Sequence, residues 1–161
     1  MLTYEVANDL LRYEPETGDL YWKKDVARNV KAGTIAGISR VRDLYKILTI
    51  NKRQYQAHRI VWLLTHKQHP KEFVDHIDGD KTNNKLPNLR EANRSLNAQN
   101  QRKPSKRNAT GYLGVSFKKK GYEASIRCNN KSIYLGRFKD PEIAHQKYLQ
   151  AKRELHAGCT I

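Results

Sequence analysis

Apolar positions along the chain fall into short runs with helix or strand spacing, separated by polar and glycine-rich breaks. Thr3 stands where a helix N-cap belongs, ahead of a short helix through Leu11, with Leu10, Leu11 and Tyr13 as its apolar positions. Glu14-Pro15-Glu16-Thr17-Gly18-Asp19 reads as a turn and Leu20-Tyr21-Trp22-Lys23 as a strand. A basic, glycine-punctuated stretch then runs from Lys23 to Arg42. Residues 45–50 and 54–57 predict a hairpin around Asn51-Lys52-Arg53; the alternation of Tyr45, Ile47 and Thr49 against Lys46, Leu48 and Ile50 singles out no buried face. Ala57 to Leu64 predicts a helix, with Ile60, Leu63 and Leu64 at core spacing and Trp62 reaching towards the sheet. His58 opens this helix and reads as a structural residue.

A short apolar strand ends at Asp75-His76 and leads into a polar loop. Leu89, Ala92 and Leu96 fit an apolar helical stripe, with Asn93, Asn97 and Asn100 on a face beside it. Residues 102–110 lack apolar periodicity, and Arg102, Lys103, Lys106 and Arg107 make them a basic linker. Beyond Gly111 three strands follow: 112–117, then 122–127 with Tyr122, Ala124 and Ile126 inward, then 133–138. Asp140 caps a last helix with Pro141 in its first turn. Its stripe is Ala144, Tyr148, Ala151 and Leu155, and Gly158 ends it. The fold class is therefore α+β. Its regions are an N-terminal β-rich part over 1–55, a central unit over 56–101, the linker, and a three-strand, one-helix unit over 111–161.

Composition narrows the partners. In 161 residues there are 31 Lys+Arg against 16 Asp+Glu, a net charge of +15. An excess of that size points to a polyanion, most simply nucleic acid. Cys128 and Cys159 supply neither a disulfide framework nor a zinc ligand set. The longest apolar run, Ile60 to Leu64, is far too short for a bilayer, and Met1-Leu2-Thr3-Tyr4 opens no signal peptide. A cytoplasmic protein with no membrane partner is the expectation.

The chemistry concentrates in Val74 to Leu89 and the asparagines that follow. A carboxylate oxygen on Asp75 and an amide oxygen on Asn97 are hard ligands, suited to Mg²⁺ or Mn²⁺, with Ca²⁺ also allowed by the donor set. Asn93 and Asn100 compete with Asn97 for that place. The imidazole of His76 can take a proton from water at about pH 7. Metal and general base together suit phosphodiester hydrolysis. Asp78-Gly79-Asp80 looks like the start of a calcium loop, but Leu89 stands where the bidentate glutamate belongs, so the segment reads as a turn.

Asp75-His76-Ile77-Asp78-Gly79-Asp80-Lys81-Thr82-Asn83-Asn84, followed by Asn88-Leu89-Arg90 and by Asn97 and Asn100, resembles the HNH endonuclease family over roughly residues 56–101. The likeness is strongest to its phage homing branch, whose active site is a ββα-metal unit. The resemblance implies His76 as general base, Asn88 as the brace of its loop, and Asp75 and Asn97 as ligands of one Mg²⁺ or Mn²⁺. It also implies 5′-phosphate and 3′-hydroxyl ends. The run Tyr13-x-Pro15-x-Thr17-Gly18-x-Leu20-x-Trp22, then Ala32-Gly33, the hairpin and Ala57-His58-Arg59, is similar to the N-terminal part of the same phage proteins. There a small sheet lies in the DNA groove, which makes Arg28, Lys31, Arg40, Arg42, Lys46, Lys52 and Arg53 candidate DNA contacts. A bacterial host cell is the compartment this likeness implies.

Gly114-Val115, Tyr122-x-Ala124-x-Ile126, Tyr134-Leu135-Gly136-x-Phe138 and Glu142-x-Ala144 resemble the AP2 DNA-binding domain over roughly residues 111–156. In that family the sheet enters the major groove. Ser116, Lys118, Lys120, Ser125 and Arg127 are the outward positions here, and Arg102 and Lys103 of the linker join them as phosphate contacts. Lysines and serines stand where the family carries more arginine and tryptophan, which predicts phosphate affinity with little base discrimination and steep weakening by salt. The expected function is a metal-dependent endonuclease on duplex DNA. It needs no small-molecule cofactor and acts as a monomer, with a dimer as the arrangement able to cut twice. The alternatives are a DNA-binding regulator or packaging accessory with an inert nuclease site, and an RNA-binding protein, which lacks a supporting motif.

Overall fold

The computed structural model describes residues 1–41 and 44–159. The chain divides into two units, Met1–Arg94 and Ser95–Ile161. Within the described residues both are mixed α+β with small antiparallel sheets.

In the first unit Thr3 Oγ1 accepts the Val6 N–H and opens helix α1 (Tyr4–Leu10). The helix stops short of the expected end because Leu11 starts a strand that the apolar pattern did not reveal. That strand, β1 (Leu11–Glu14), pairs antiparallel with β2 (Asp19–Trp22), setting Leu11 opposite Trp22. Gly18 closes their turn at φ +80°, a conformation that glycine adopts without steric cost. Next come β3 (Ile38–Ser39), β4 (Lys46–Ile50) and β5 (Arg53–Gln56), in the order β3-β4-β5. Asn51 and Lys52 both sit at positive φ in the β4–β5 turn, where the strands' twist requires it. Leu48 and Ile50 are buried, so the even positions of β4 form the core face that its alternation left open.

Helix α2 (Ala57–His66) buries Ile60, Val61 and Leu63, while Leu64 is half-buried. Trp62 is partly buried against the first unit's core, which includes strand residues. It stacks on His66 of its own helix, with ring centroids 4.1 Å apart. Strand β6 (Phe73–His76) pairs antiparallel with β7 (Leu89–Ala92). Leu89 and Ala92 therefore lie on a strand and not on a helical stripe; ladder pairing with β6 outweighs a short 3.6-residue pattern. One core joins Ala7, Leu11, Leu20, Trp22, Leu48, Ile60, Val61 and Leu63 to Val74 and Leu89.

The second unit takes in most of helix α3 (Arg94–Gln99), which Asn93 precedes and Asn100 follows. Of the three asparagines expected on one helical face, only Asn97 is helical. Strands β8 (Val115–Lys118), β9 (Gly121–Cys128) and β10 (Lys131–Phe138) form a sheet in the order β10-β9-β8, packed on helix α4 (Pro141–Leu155). Asp140 accepts the N–H groups of Glu142 and Ile143, as a cap before Pro141 should. Ala144, Tyr148 and Ala151 are buried, but Leu155 is 39% exposed, and Lys152 takes the place of an apolar anchor at 1%. The lysine stem packs like a hydrocarbon and its Nζ donates to the Gln101 carbonyl. The helix ends at Leu155, with His156 rather than Gly158 at its C-cap.

Gly114 sits at φ +77°, and a Cβ there would fall 1.9 Å from Tyr148 Cδ2. Gly114→Ala combines backbone strain with overpacking and costs about 3 kcal/mol. Chemical denaturation of the full chain checks this: an unchanged midpoint would mean that the Tyr148 ring moves aside without loss.

Candidate functional site

The β6–β7 register puts Asp75 opposite Arg90 and His76 opposite Leu89. Val74, Asp75 and His76 are buried in succession, so both faces of this strand end are covered. Arg90 donates from Nε and Nη2 to Asp75 Oδ2, at 3.1 and 2.9 Å. This fork fixes the Asp75 carboxylate through one of its oxygens. Its oxygen chemistry, like that of the Asn97 amide, suits a hard divalent cation. Among the described residues no three His, Cys, Asp or Glu side chains cluster as a metal set. A ligand set drawn from these described residues would add amide oxygens, backbone or water to Asp75.

The loop between the strands is built around Asp78. Its carboxylate accepts from Asp80 N–H, Asn83 Nδ2 and Asn88 Nδ2. Asn88 returns the tie by accepting Asp78 N–H on its side-chain oxygen and Ile77 N–H on its carbonyl. Burial pulls the Asp78 carboxyl upward, but these hydrogen bonds and the charge of His76 hold it below its ordinary value. With three donors on it, Asp78 is a structural hub of the turn. Asn88 spans the loop base, directly C-terminal to which β7 begins.

His76 is 3% exposed. Its Nε2 lies 2.9 Å from Asn84 Oδ1. In the neutral ring, with this amide oxygen as acceptor, Nε2 is the donor and Nδ1 the lone-pair nitrogen. His58, from the first turn of α2, sets its ring against His76 at 4.9 Å in a T-shaped contact. Tyr45 lies 5.2 Å from the His58 ring and 6.0 Å from that of His76. Lys81 Nζ stands 4.6 Å over the Tyr45 ring and brings positive charge to this corner. Burial, then the charges of His76 and Arg59, push the His58 pKa down to about 3. His58 is thus a neutral neighbour of His76.

Residues 55–99 match the family model described as HNH endonuclease. That segment is less than a third of the chain, and it contains β6, the loop, β7 and α3. The match supports a nuclease of the HNH type, with DNA as its substrate class and a divalent metal as the usual requirement of such enzymes. No curated protein and no solved structure matches the chain.

The structure brings Asp75, His76 and Asn88 to one hairpin, and it places Asn97 exposed on α3. Among the candidate DNA contacts, Arg28, Lys52 and Arg53 are exposed, Lys52 and Arg53 at the β4–β5 turn. Lys31 pairs with Asp25 at 2.7 Å, and Lys46 pairs with Asp19. Arg40 is half-buried, with its N–H on the Tyr45 carbonyl; Arg42 lies outside the described residues. In the second unit Arg102 is half-buried, and Lys103, Ser116, Lys118, Lys120, Ser125 and Arg127 are exposed. The register also places Glu123 opposite Ser116, with Arg137 bonded to it across the sheet.

Asn84, Arg90, Tyr45 and Lys81 escaped the sequence reading. Arg90 was within reach, since pairing β6 with β7 sets it opposite Asp75. Asn84 had one signal, the tandem Asn83-Asn84 in the polar loop. Tyr45 and His58 are brought to His76 only by tertiary packing.

Proposed function

We propose that the protein is a metal-dependent HNH endonuclease of the phage homing type, hydrolysing phosphodiester bonds in duplex DNA. The observation that carries this reading is the buried His76, its Nε2 held 2.9 Å from Asn84 Oδ1, directly following Asp75 at the end of β6. In this proposal Asp75 is one ligand of a Mg²⁺ or Mn²⁺ ion, and Asn97 is the second that the motif implies. When bound, the cation supplies Lewis-acid stabilisation of charge on the phosphate and its leaving oxygen. His76 Nδ1 takes the proton of the attacking water. Arg90 holds the Asp75 carboxylate in one orientation, and Asn88 holds the loop that follows His76. Both groups are thus set before substrate arrives, which removes reorganisation from the reaction step.

The exposed basic residues of the β4–β5 turn and the AP2-like sheet of the second unit serve as the DNA contacts. Two modest binding surfaces on one chain raise each other's effective concentration. A single active site per chain makes a nicking monomer the simplest form, working in a bacterial cytoplasm. The test is relaxation of supercoiled plasmid with Mg²⁺ or Mn²⁺ against EDTA. Metal-dependent conversion to open circles is expected. DNA binding without cleavage, on phage and host genomic DNA as well as plasmid, would favour a regulator with an inert nuclease site.

A further inference from the structure

We infer that Asn84 and Tyr13 are positioning residues for His76, so that the β1–β2 hairpin is part of the catalytic scaffold. This rests on the nuclease reading and extends it to a segment outside the matched residues 55–99.

The chain of contacts starts at the base. Asn84 is 1% exposed, and its Oδ1 is 2.9 Å from His76 Nε2. Its Nδ2 is buried without a hydrogen-bond partner. The side chain therefore has one polar anchor, His76 itself, and its placement is dictated by its backbone. That backbone is gripped from β1 and the turn after it. The Tyr13 hydroxyl accepts the Leu86 N–H at 2.9 Å and donates to the Asn84 carbonyl at 3.4 Å. Gly18 closes against the same stretch, where a Cβ would fall 2.7 Å from Lys85 N and 2.9 Å from Asn84 C. Tyr13 and Gly18 are separated from this loop by some seventy residues of sequence, so the contact is tertiary and specific to the fold.

The geometry has a chemical consequence. With the amide oxygen on Nε2, the lone pair sits on Nδ1, and the ring cannot rotate about its Cβ–Cγ bond without breaking that hydrogen bond. Removing Asn84 Oδ1 takes this hydrogen bond from the buried ring and loosens its orientation. Removing the Tyr13 hydroxyl leaves the ring in place but releases the loop backbone at residues 84 and 86. Neither residue touches substrate in this account; both act through His76.

Asn84→Ala, Asn84→Asp and Tyr13→Phe test this in the full chain, with two readouts. The first is plasmid cleavage at saturating and limiting DNA. Asn84→Ala is expected to lower kcat by about 10- to 100-fold and Tyr13→Phe by several-fold, with KM near the wild-type value, the range seen for groups that orient catalytic ligands. Asn84→Asp keeps an acceptor oxygen and recovers part of the loss. The second readout needs neither metal nor activity: the His76 Nε2-bound proton, shielded from exchange, gives a low-field proton NMR resonance in the wild type that disappears in Asn84→Ala. An unchanged kcat in Asn84→Ala, or a resonance that persists there, would overturn the inference. A rise in KM with kcat intact would do so too, since it would make Asn84 a binding residue. If the wild type cleaves no DNA, the nuclease reading fails, while the resonance still decides whether Asn84 holds His76.

Discussion

His76→Ala lowers metal-dependent plasmid cleavage by roughly 10²- to 10⁴-fold while leaving DNA affinity unchanged. The magnitude is that of losing a positioned general base, with cation and bound DNA still in place to support a residual rate. Affinity holds because the ring is 3% exposed and offers DNA no surface to bind. The matched comparison is cleavage rate against filter or gel-shift binding on one DNA at one salt concentration, since phosphate contacts make affinity steeply salt-dependent. A parallel loss of binding and cleavage would mean that the substitution had disrupted the β6–β7 hairpin. Cleavage at the wild-type rate would remove His76 from the mechanism altogether.

The second large effect is on stability. Wild-type protein loses on the order of a few kcal/mol as pH falls from the ordinary imidazole range, about 6.5, towards about 3, through His58 alone. The folded pKa of His58 is depressed to about 3, so between that value and about 6.5 the unfolded chain holds a proton that the folded chain refuses. Stability therefore falls as pH drops through the window and does not change above it. The physical origin is the ring's enclosure between Tyr45 and His76, with the charges of His76 and Arg59 opposing a further one. His58→Leu keeps the volume and removes the titration, so its denaturation midpoint falls less steeply with acid. Parallel curves for the two proteins would mean that His58 takes up its proton in the folded state. Near neutral pH the variant also reports whether the T-shaped contact matters to His76: cleavage drops if the ring edge sets its position.

Much of the local structure was legible because its signals are short-range. Thr3 and Asp140 cap helices, Asn129-Asn130 turns a hairpin at positive φ, and the alternation of Tyr122, Ala124 and Ile126 faces Ala124 and Ile126 into the core with Tyr122 partly buried beside them. The Asp75-His76 pair at the end of a strand was equally visible, since the motif and the strand coincide. What failed depended on partners distant in sequence. Leu89 and Ala92 fit a helical stripe until β6 is there to pair with them. Leu11 and Tyr13 read as helix because only β2 makes them a strand. A buried Lys152 runs against composition rules, and only the position of the Gln101 carbonyl makes sense of it. The supports of His76 share that character: Tyr45 precedes β4, His58 is on α2 and Tyr13 is on β1, and no spacing in the sequence links them.

Helix α3 has six residues, too few to persist on their own in water. Its supports lie at the far end of the chain. Gly158 donates its N–H to Gln99 Oε1, a Cβ at Gly158 would lie 2.8 Å from the Leu96 carbonyl, and Lys152 holds the carbonyl of Gln101 just beyond the helix. The stretch around Lys152 and Gly158 is thus a foundation for the segment that carries Asn97. A gene truncated after residue 100 would encode every residue of the nuclease motif and still leave its last helix without a floor. The two halves of such a chain are not interchangeable cassettes; recombination that swapped the C-terminal half would have to bring a replacement for Gly158 and Lys152.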